Sequence, residues 1–514
     1  MFSKVFSAAL MGTEGVLVAV EVDVRPGIPK ESIVGLPDAV VRESKERIRA
    51  AIKNSGFDYP VRAYVINLAP AELRKEGPFF DLPIATAILD ATHQIRLPEK
   101  SLFIGELSLN GEILPVRGII SICQMACKQG FKQIFIPFNN QIEAGLINGI
   151  EIVPVTTLSH MIDVIKGIKK VTLLKKILLG GHDSSLDFKD IKGQEHAKRA
   201  FEICAAGSHN LLLVGSPGSG KTMLCKRLPG ILPEMSVNEA IETYNLRSIA
   251  GFLKQAKALS LKRPFRNPHH SISYAGMVGG GVMPRPGEIS LAHNGVLFLD
   301  EIPEFPRHVL EVLRQPIEDR CIVISRANHH ITYPAHFIFL AAMNPCPCGY
   351  YSDDQLLCSC QESQVKAYWK RVSGPILDRI DIILEVPRLK KEDFFKESAN
   401  YDDHKKQTCC YSSADMKRRV LTARDIQFKR YKIQKTNSDM SSSEIERYCR
   451  ISQDIKEVLG KAIDKGMLSG RSFDKVLQLS RTIADLEGEA DIKMAYVMEA
   501  IQYRNSRINT FARQ

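Results

Sequence analysis

At 514 residues the chain is too long for one hydrophobic core and should divide into about three domains. Its 44% apolar and 25% charged residues are those of an ordinary soluble globular protein, and no apolar run reaches the ~18 residues that span a bilayer. The net charge of +11 suits a polyanionic partner such as nucleic acid, and equally fits surface drift in a chain of this length.

The opening "MFSKVFSAALMGTEG" carries one lysine and a short apolar patch broken by Gly12 and Thr13, which makes a poor signal peptide. Residues 1–165 then alternate strand-like and helical runs. "GVLVAVEVDV" (15–24) and "AYVINLAP" (63–70) read as strands. Between them Val40, Val41, Ile48, Ala51 and Ile52 recur at helical spacing, and Gly56 follows as a stop. A second α/β stretch, "KQIFIPFNN" to "IEIVPV", closes this unit. Residues 166–186 gather lysines, a Gly-Gly pair and polar residues and read as a linker. An α/β core follows over 187–388. The remainder, 389–514, has helical patterning, and "YDDHKKQTCCYSSAD" within it reads as a polar loop.

The core opens its chemistry at "NLLLVGSPGSGKT". Gly215, Gly218, Gly220, Lys221 and Thr222, with Ser216, Pro217 and Ser219 between them, fit G-x-x-x-x-G-K-[ST] after an apolar strand and before a helical run. Such a turn cradles a nucleoside triphosphate. The glycines let backbone N–H groups approach the phosphates, Lys221 neutralises the outer ones, and the Thr222 hydroxyl takes a place on Mg²⁺. A second apolar strand, "GVLFLDE", ends in Asp300 and Glu301. Asp300 is expected to hold Mg²⁺ and Glu301 to polarise the attacking water. A third, "HFIFLAAMNP", ends in Asn344, whose neutral amide can orient that water. The cofactors expected are therefore ATP and Mg²⁺.

Lys221 and Asp300 are 79 residues apart, whereas one strand–helix–strand crossover takes about 30. An extra strand and an insert must fill the gap, and the insert carries His269, His270 and Tyr274. Twelve cysteines beside an ATP site imply a reducing cytoplasm, so free thiols or metal ligands outrank disulfides. Cys346, Cys348, Cys358 and Cys360 form C-x-C-x9-C-x-C just after Asn344. Their four thiolates either hold Zn²⁺ or belong to a reduced, turn-rich loop. From 415 to 435 eight Lys or Arg residues face Asp415 and Asp425, as on a DNA-facing helix or a solvated lid helix.

These residues resemble the Mg-chelatase-like AAA+ ATPases of the ComM/YifB family. The likeness runs from "GLPDAVVRESKERIRAAI" through "DIKGQEHAKRAFEICAAG", "SLAHNGVLFLDE", "NPCPCGYY" and "SGPILDRIDI" to "RTIADLEG". It implies an N-terminal Lon-protease-like α/β domain (1–165), a central P-loop AAA+ domain of parallel sheet and helices (187–388), and a C-terminal helical lid (389–514). It also implies a homo-hexameric, ATP-driven DNA helicase of the branch-migration type, active in natural transformation (competence) or recombination, cytoplasmic and off the membrane. A chelatase-type or protein-remodelling motor is the alternative.

By the same resemblance Arg379 in "ILDRID" matches the arginine finger that enters a neighbour's ATP site, and Arg471 matches the sensor-2 arginine of the lid. The bland reading of Arg471 is a solvated arginine at a helix start. "EDRCIVISRANHHITYPAHF" resembles the hairpin that points into the central pore of related helicases, with its turn at Ser325–Asn328. Arg326, His269, His270 and Tyr274 are then the DNA candidates. "KEGPFFDLPIA" and "GELSLNGEILPVRGII" carry the Lon likeness, but Phe79 and Ile120 stand where that protease has its serine and lysine, so peptidase chemistry is not expected.

Overall fold

The computed structural model describes residues 1–514 except 74, 76, 172–185, 254–259, 282–283, 327–328, 352, 354, 390–410, 466–467 and 505–514, and except the side chains of Arg326 and His329. Most of the expected linker, Cys409, Cys410 and the tip of the expected hairpin therefore lie outside the described residues.

The N-terminal unit is built on a seven-stranded sheet. Its spatial order is Glu31–Val34, Ala63–Ala69, Glu14–Arg25, Phe2–Met11, Ser101–Phe103, Gln133–Pro137 and Glu151–Val155. The long Phe2–Met11 and Glu14–Arg25 strands form an antiparallel hairpin, and the last three strands add to it in parallel. In Glu14–Arg25 every second residue from Val18 to Val24 is buried, as one core-facing side of a sheet requires.

The helix expected after it spans Ala39–Asn54. Asp38 caps it by accepting from the Val41 amide at 2.7 Å, an arrangement that contributes about 1 kcal/mol. Val41, Ile48, Ala51 and Ile52 face the core, whereas Val40 is 38% exposed and departs from the expected face.

The second unit holds a five-stranded, wholly parallel sheet ordered Phe265–Arg266, Gly295–Leu299, Phe337–Met343, Leu211–Val214 and Ile382–Glu385. Leu211–Val214 is buried at every residue, because helices and loops cover both faces of a parallel sheet. The strand Phe265–Arg266 is the extra one that the Lys221–Asp300 spacing required.

The insert before it opens with the helix Val237–Ala250, which packs on the N-terminal unit. There Ser248 donates to Glu143 at 2.6 Å, and Ser121 donates to Asn245 at 2.7 Å. From Ser413 onward the chain is helical: Ser413–Tyr431, Ser442–Tyr448, Gln453–Asp464, Gly470–Leu486 and Met494–Gln502. These helices share one apolar cluster with the helix Glu195–Gly207 and the sheet behind it.

The basic helix Ser413–Tyr431 is not a DNA-facing one along much of its length. Arg419 pairs with the buried Glu202, Arg424 donates to the Ala205 carbonyl at 2.7 Å, and Arg430 pairs with the buried Asp485. Arg419 and Arg424 fasten the lid to the core, and Arg430 ties the helix to its lid neighbour Gly470–Leu486. Among the described residues no helix is long and apolar enough to cross a membrane.

Candidate active site

Parallel strands put all their C-terminal ends on one edge, and three neighbouring strands converge their end residues there. The phosphate turn leaves Leu211–Val214 and closes at Gly220, whose φ of +90° is a left-handed conformation open to glycine. The helix Lys221–Ile231 starts immediately after it, so its free N–H groups face the turn. The Lys221 ammonium donates to the Gly215 carbonyl at 2.6 Å, the Ser216 carbonyl at 3.0 Å and Asn344 Oδ1 at 3.2 Å. Burial lowers its pKa, against the pull of Asp300 and Glu301.

Asp300 follows Gly295–Leu299, and its Oδ2 accepts from the Thr222 hydroxyl at 2.7 Å. That pair is an all-oxygen donor set, the chemistry that Mg²⁺ takes. Glu301 is exposed and sits at a positive φ of 52°, which turns its carboxylate out of the strand line into a cavity shared with Asn344, Tyr368 and Arg371. A positive φ in a residue other than glycine is uncommon. Of the expected residues, Gly215–Thr222, Asp300, Glu301 and Asn344 thus come together.

Arg379 and Arg471 meet elsewhere. Arg379 Nη2 lies 2.7 Å from Glu318 Oε2, and its other nitrogens donate to the carbonyls of Pro375 (2.7 Å) and Arg314 (3.1 Å). Arg471 Nη1 lies 3.9 Å from the same Glu318. Among the described residues, no hydrogen bond or ion pair joins either arginine to Lys221, Thr222, Asp300 or Asn344. Arg379 is also not free-standing: its guanidinium is folded onto its own chain, 14% exposed, whereas Arg471 is 66% exposed.

Of the DNA candidates, His269 and His270 lie 4.0 Å apart with their rings tilted by 35°, His270 lies edge-on to Phe305, and Tyr274 stacks on His308. The insert therefore covers the segment that follows Glu301. The hairpin exists as Cys321–Arg326 paired with His329–Pro334. Ser325 and Arg326 are in its strand, so the turn begins later than expected, and the Arg326 side chain lies outside the described residues. Ile331 of this hairpin leans on Gly12 in the first turn of the N-terminal unit.

The four cysteines do converge, with one sulfur from each within 4.8 Å of the others. Two residues that the motifs did not point to also matter. Asp353, inside the cysteine loop, accepts from the Ser216 hydroxyl of the phosphate turn at 2.5 Å. Glu318 joins the two arginines. Asp353 could have been suspected from its place between thiols that follow Asn344, whereas nothing in the local sequence marks Glu318. In the N-terminal unit Phe79 and Ile120 are buried at the would-be protease positions. A cavity of about 450 Å³ remains beside Phe79 and Arg117, without a serine nucleophile or lysine base at those places.

A five-stranded parallel sheet that presents a phosphate turn, an Asp-Glu pair and an asparagine from adjacent strands, closed by a helical lid, defines a P-loop domain of the AAA+ class. The descriptions of three family models fit it. "Magnesium chelatase, subunit ChlI" matches residues 187–394, "Subunit ChlI of Mg-chelatase" residues 20–140, and the ChlI C-terminal model residues 411–504. The chain is 43% identical over 508 residues to the competence protein ComM of Haemophilus influenzae, covering 97% of each. It is 42% identical over 506 residues to the uncharacterised protein YifB of Escherichia coli, covering 98% of this chain and 97% of that one. A partial likeness, 28% over 188 residues, links 34% of the chain to 19% of an archaeal Lon protease of Pyrococcus abyssi. The chain belongs to the Mg-chelatase-like ComM/YifB family of AAA+ proteins.

Proposed function

We propose that the chain is a cytoplasmic, ring-forming ATPase that couples hydrolysis to DNA translocation, as a helicase of the branch-migration type in natural transformation or recombination. The meeting of Lys221, Thr222, Asp300, Glu301 and Asn344 at the ends of three adjacent strands carries the ATPase reading. Lys221 and the turn amides bind the outer phosphates. Thr222 and Asp300 would hold Mg²⁺, which supplies charge neutralisation to the phosphates when bound. Glu301 polarises a water from the open cavity, and Asn344, held at Lys221, fixes where that water lies. Arg379 acts on the pocket of a neighbouring copy, so the working unit is an assembly of copies, a homo-hexameric ring by the family resemblance.

DNA as the substrate is supported by whole-length similarity to a competence protein, by the net charge of +11, and by the exposed His269 and Tyr274 over the segment that follows Glu301. The family models named for a chelatase subunit favour a second reading, the same engine acting on a protein or metal-insertion partner. ATP turnover by the purified chain, alone and with single-stranded, duplex or forked DNA across a salt series, separates the two. The DNA reading expects stimulation that fades as salt rises, since phosphate contacts release counterions. Turnover that no DNA changes, at any salt, removes it and leaves the second.

A further inference from the structure

The four-cysteine cluster sits on the ATPase core and touches the phosphate turn from outside the strands. Three of its sulfur separations are short: Cys346–Cys348 is 3.3 Å, Cys348–Cys358 is 3.5 Å and Cys346–Cys358 is 3.7 Å. A disulfide closes to about 2.05 Å, so these are not bonded pairs. A tetrahedron of thiolates at a Zn–S length of about 2.3 Å has edges of about 3.8 Å, close to what is seen. Within the loop the Cys360 amide donates to the Cys358 sulfur at 3.4 Å. Cys346 is buried under the sheet edge and the others are half-buried, so the site is closed by protein with four soft ligands and none to spare.

The loop these thiols would gather is in contact with the nucleotide turn at two points. Gly349 stands so close to Pro217 that a Cβ there would lie 2.7 Å from its Cδ. Asp353 takes the Ser216 hydroxyl at 2.5 Å, and Tyr351 and Asp353 line one wall of a cavity of about 480 Å³ whose other walls are Gln194, His196, Ser216 and Val386. That cavity is lined by Gly215 and Ser216 of the phosphate turn, shares no lining residue with the Glu301–Asn344 cavity, and has a size that suits the base and sugar of a nucleotide.

We propose that Cys346, Cys348, Cys358 and Cys360 hold one Zn²⁺ ion that fixes the 345–360 loop as a wall of the nucleotide's base-and-sugar cavity, so that the metal sets nucleotide affinity and takes no part in hydrolysis. The metal site stands on the thiol geometry alone, and the coupling rests on the ATP reading given above. A loop of this length without its metal loses the constraint that keeps Asp353 on Ser216, and ordering it then falls on nucleotide binding.

The full-length protein, purified without chelator, should carry one zinc per chain by elemental analysis. The double variant Cys358→Ser, Cys360→Ser should carry none. Stripping zinc with a mercurial and chelator should weaken binding of a fluorescent ATP analogue about ten-fold, and Zn²⁺ with thiol, but not Mg²⁺, should restore it. Asp353→Asn leaves the thiols intact. It should keep its zinc and still bind the analogue several-fold more weakly, which covers the case of a cysteine variant that misfolds. Less than a tenth of an equivalent of zinc in protein made with ample zinc, or an equivalent of iron with its visible thiolate absorption, overturns the metal assignment. Unchanged analogue affinity in folded, zinc-free protein overturns the coupling. No analogue binding at all with one zinc present sinks the ATP reading, and with it the coupling, while the metal site stands.

Discussion

The Arg379 guanidinium lies 2.7 Å from the Glu318 carboxylate, an ion pair within one chain. Glu318 is 47% exposed, whereas the Arg379 side chain is 14% exposed and also donates to the Pro375 and Arg314 carbonyls. If Arg379 works on a neighbour's ATP, it must give up that ion pair and both carbonyl bonds. Arg379→Ala is expected to lower turnover by about 10³-fold, the scale of arginine fingers, while Glu318→Gln changes it only a few-fold. Lys221→Ala and Arg379→Ala subunits, each inactive, should regain activity when mixed, because a seam between them can combine an intact pocket with an intact arginine. Mixed rings no more active than either variant alone, under conditions where both assemble, would remove the shared-site reading.

Glu301 and Lys221 are expected to separate hydrolysis from binding. Among the described residues no hydrogen bond joins the Glu301 carboxylate to the phosphate turn, and it lines the cavity it shares with Asn344. Glu301→Gln keeps the shape and removes the base, so turnover should fall about 10²–10⁴-fold while nucleotide affinity stays within a few-fold. Lys221→Ala should instead abolish measurable binding of the analogue. A Glu301→Gln enzyme with unaltered turnover would show that some other group polarises the water.

The nucleotide site was legible in the sequence because its parts are local: each functional residue directly follows a strand whose apolar run is unmistakable, and parallel strands leave only one edge for them to share. The extra strand was legible because one crossover cannot fill the gap from Lys221 to Asp300, and the first helix because Val41, Ile48, Ala51 and Ile52 recur at helical spacing. What failed to show are relationships that only the tertiary fold makes. Glu318 is 61 residues before Arg379 and 153 before Arg471, and nothing near it in the chain marks it as their common partner. The run of cations in 415–435 reads as a surface because its acidic partners, Glu202 and Asp485, come from other helices. Asp353 is one polar residue in a turn-rich loop until the fold lays that loop on Ser216.

The joint between the N-terminal unit and the core should respond to pH. Glu143 is buried beside Ser248, and burial pushes its carboxyl up to about 7, against the bonds from Ser248 and Asn140. The folded protein then binds a proton that the unfolded chain has already lost above its ordinary range near 4.5. Glu143's own contribution to stability is greatest below about pH 4.5, declines as pH rises to about 7, and levels off above, by no more than about 3 kcal/mol in all. Glu143→Gln keeps an acceptor for Ser248 and carries no charge, so it should flatten that decline and stabilise the joint at pH 8. Thermal scans of both proteins between pH 5 and 8, with limited proteolysis near Ser248 as a local readout, test it. Parallel pH curves for the two would mean that Glu143 is not the group responsible.

Asp485 is where the lid's own stability concentrates. Its carboxylate is fully buried and accepts from Arg430 at 2.9 Å, Arg481 at 3.1 Å and Asn437 at 2.8 Å. Removing it leaves two buried guanidinium groups short of their counter-ion, a defect that costs about 3–5 kcal/mol, whereas deleting the exposed Lys493–Glu489 pair should leave stability nearly unchanged. Asp485→Asn should be nearly as damaging as Asp485→Ala, since the missing element is charge and not volume. The lid helices and the helix Glu195–Gly207 share one apolar cluster, so the damage should not stay in the lid. Trp369, the single tryptophan, is buried in the core with its indole N–H on the Pro345 carbonyl at 3.0 Å, and its fluorescence reports that region alone. In urea its transition should move to lower denaturant together with the loss of helical circular dichroism. If the dichroism shifts while the Trp369 transition stays where it was, lid and core unfold separately, and the lid could not transmit a change in the nucleotide site through that shared cluster.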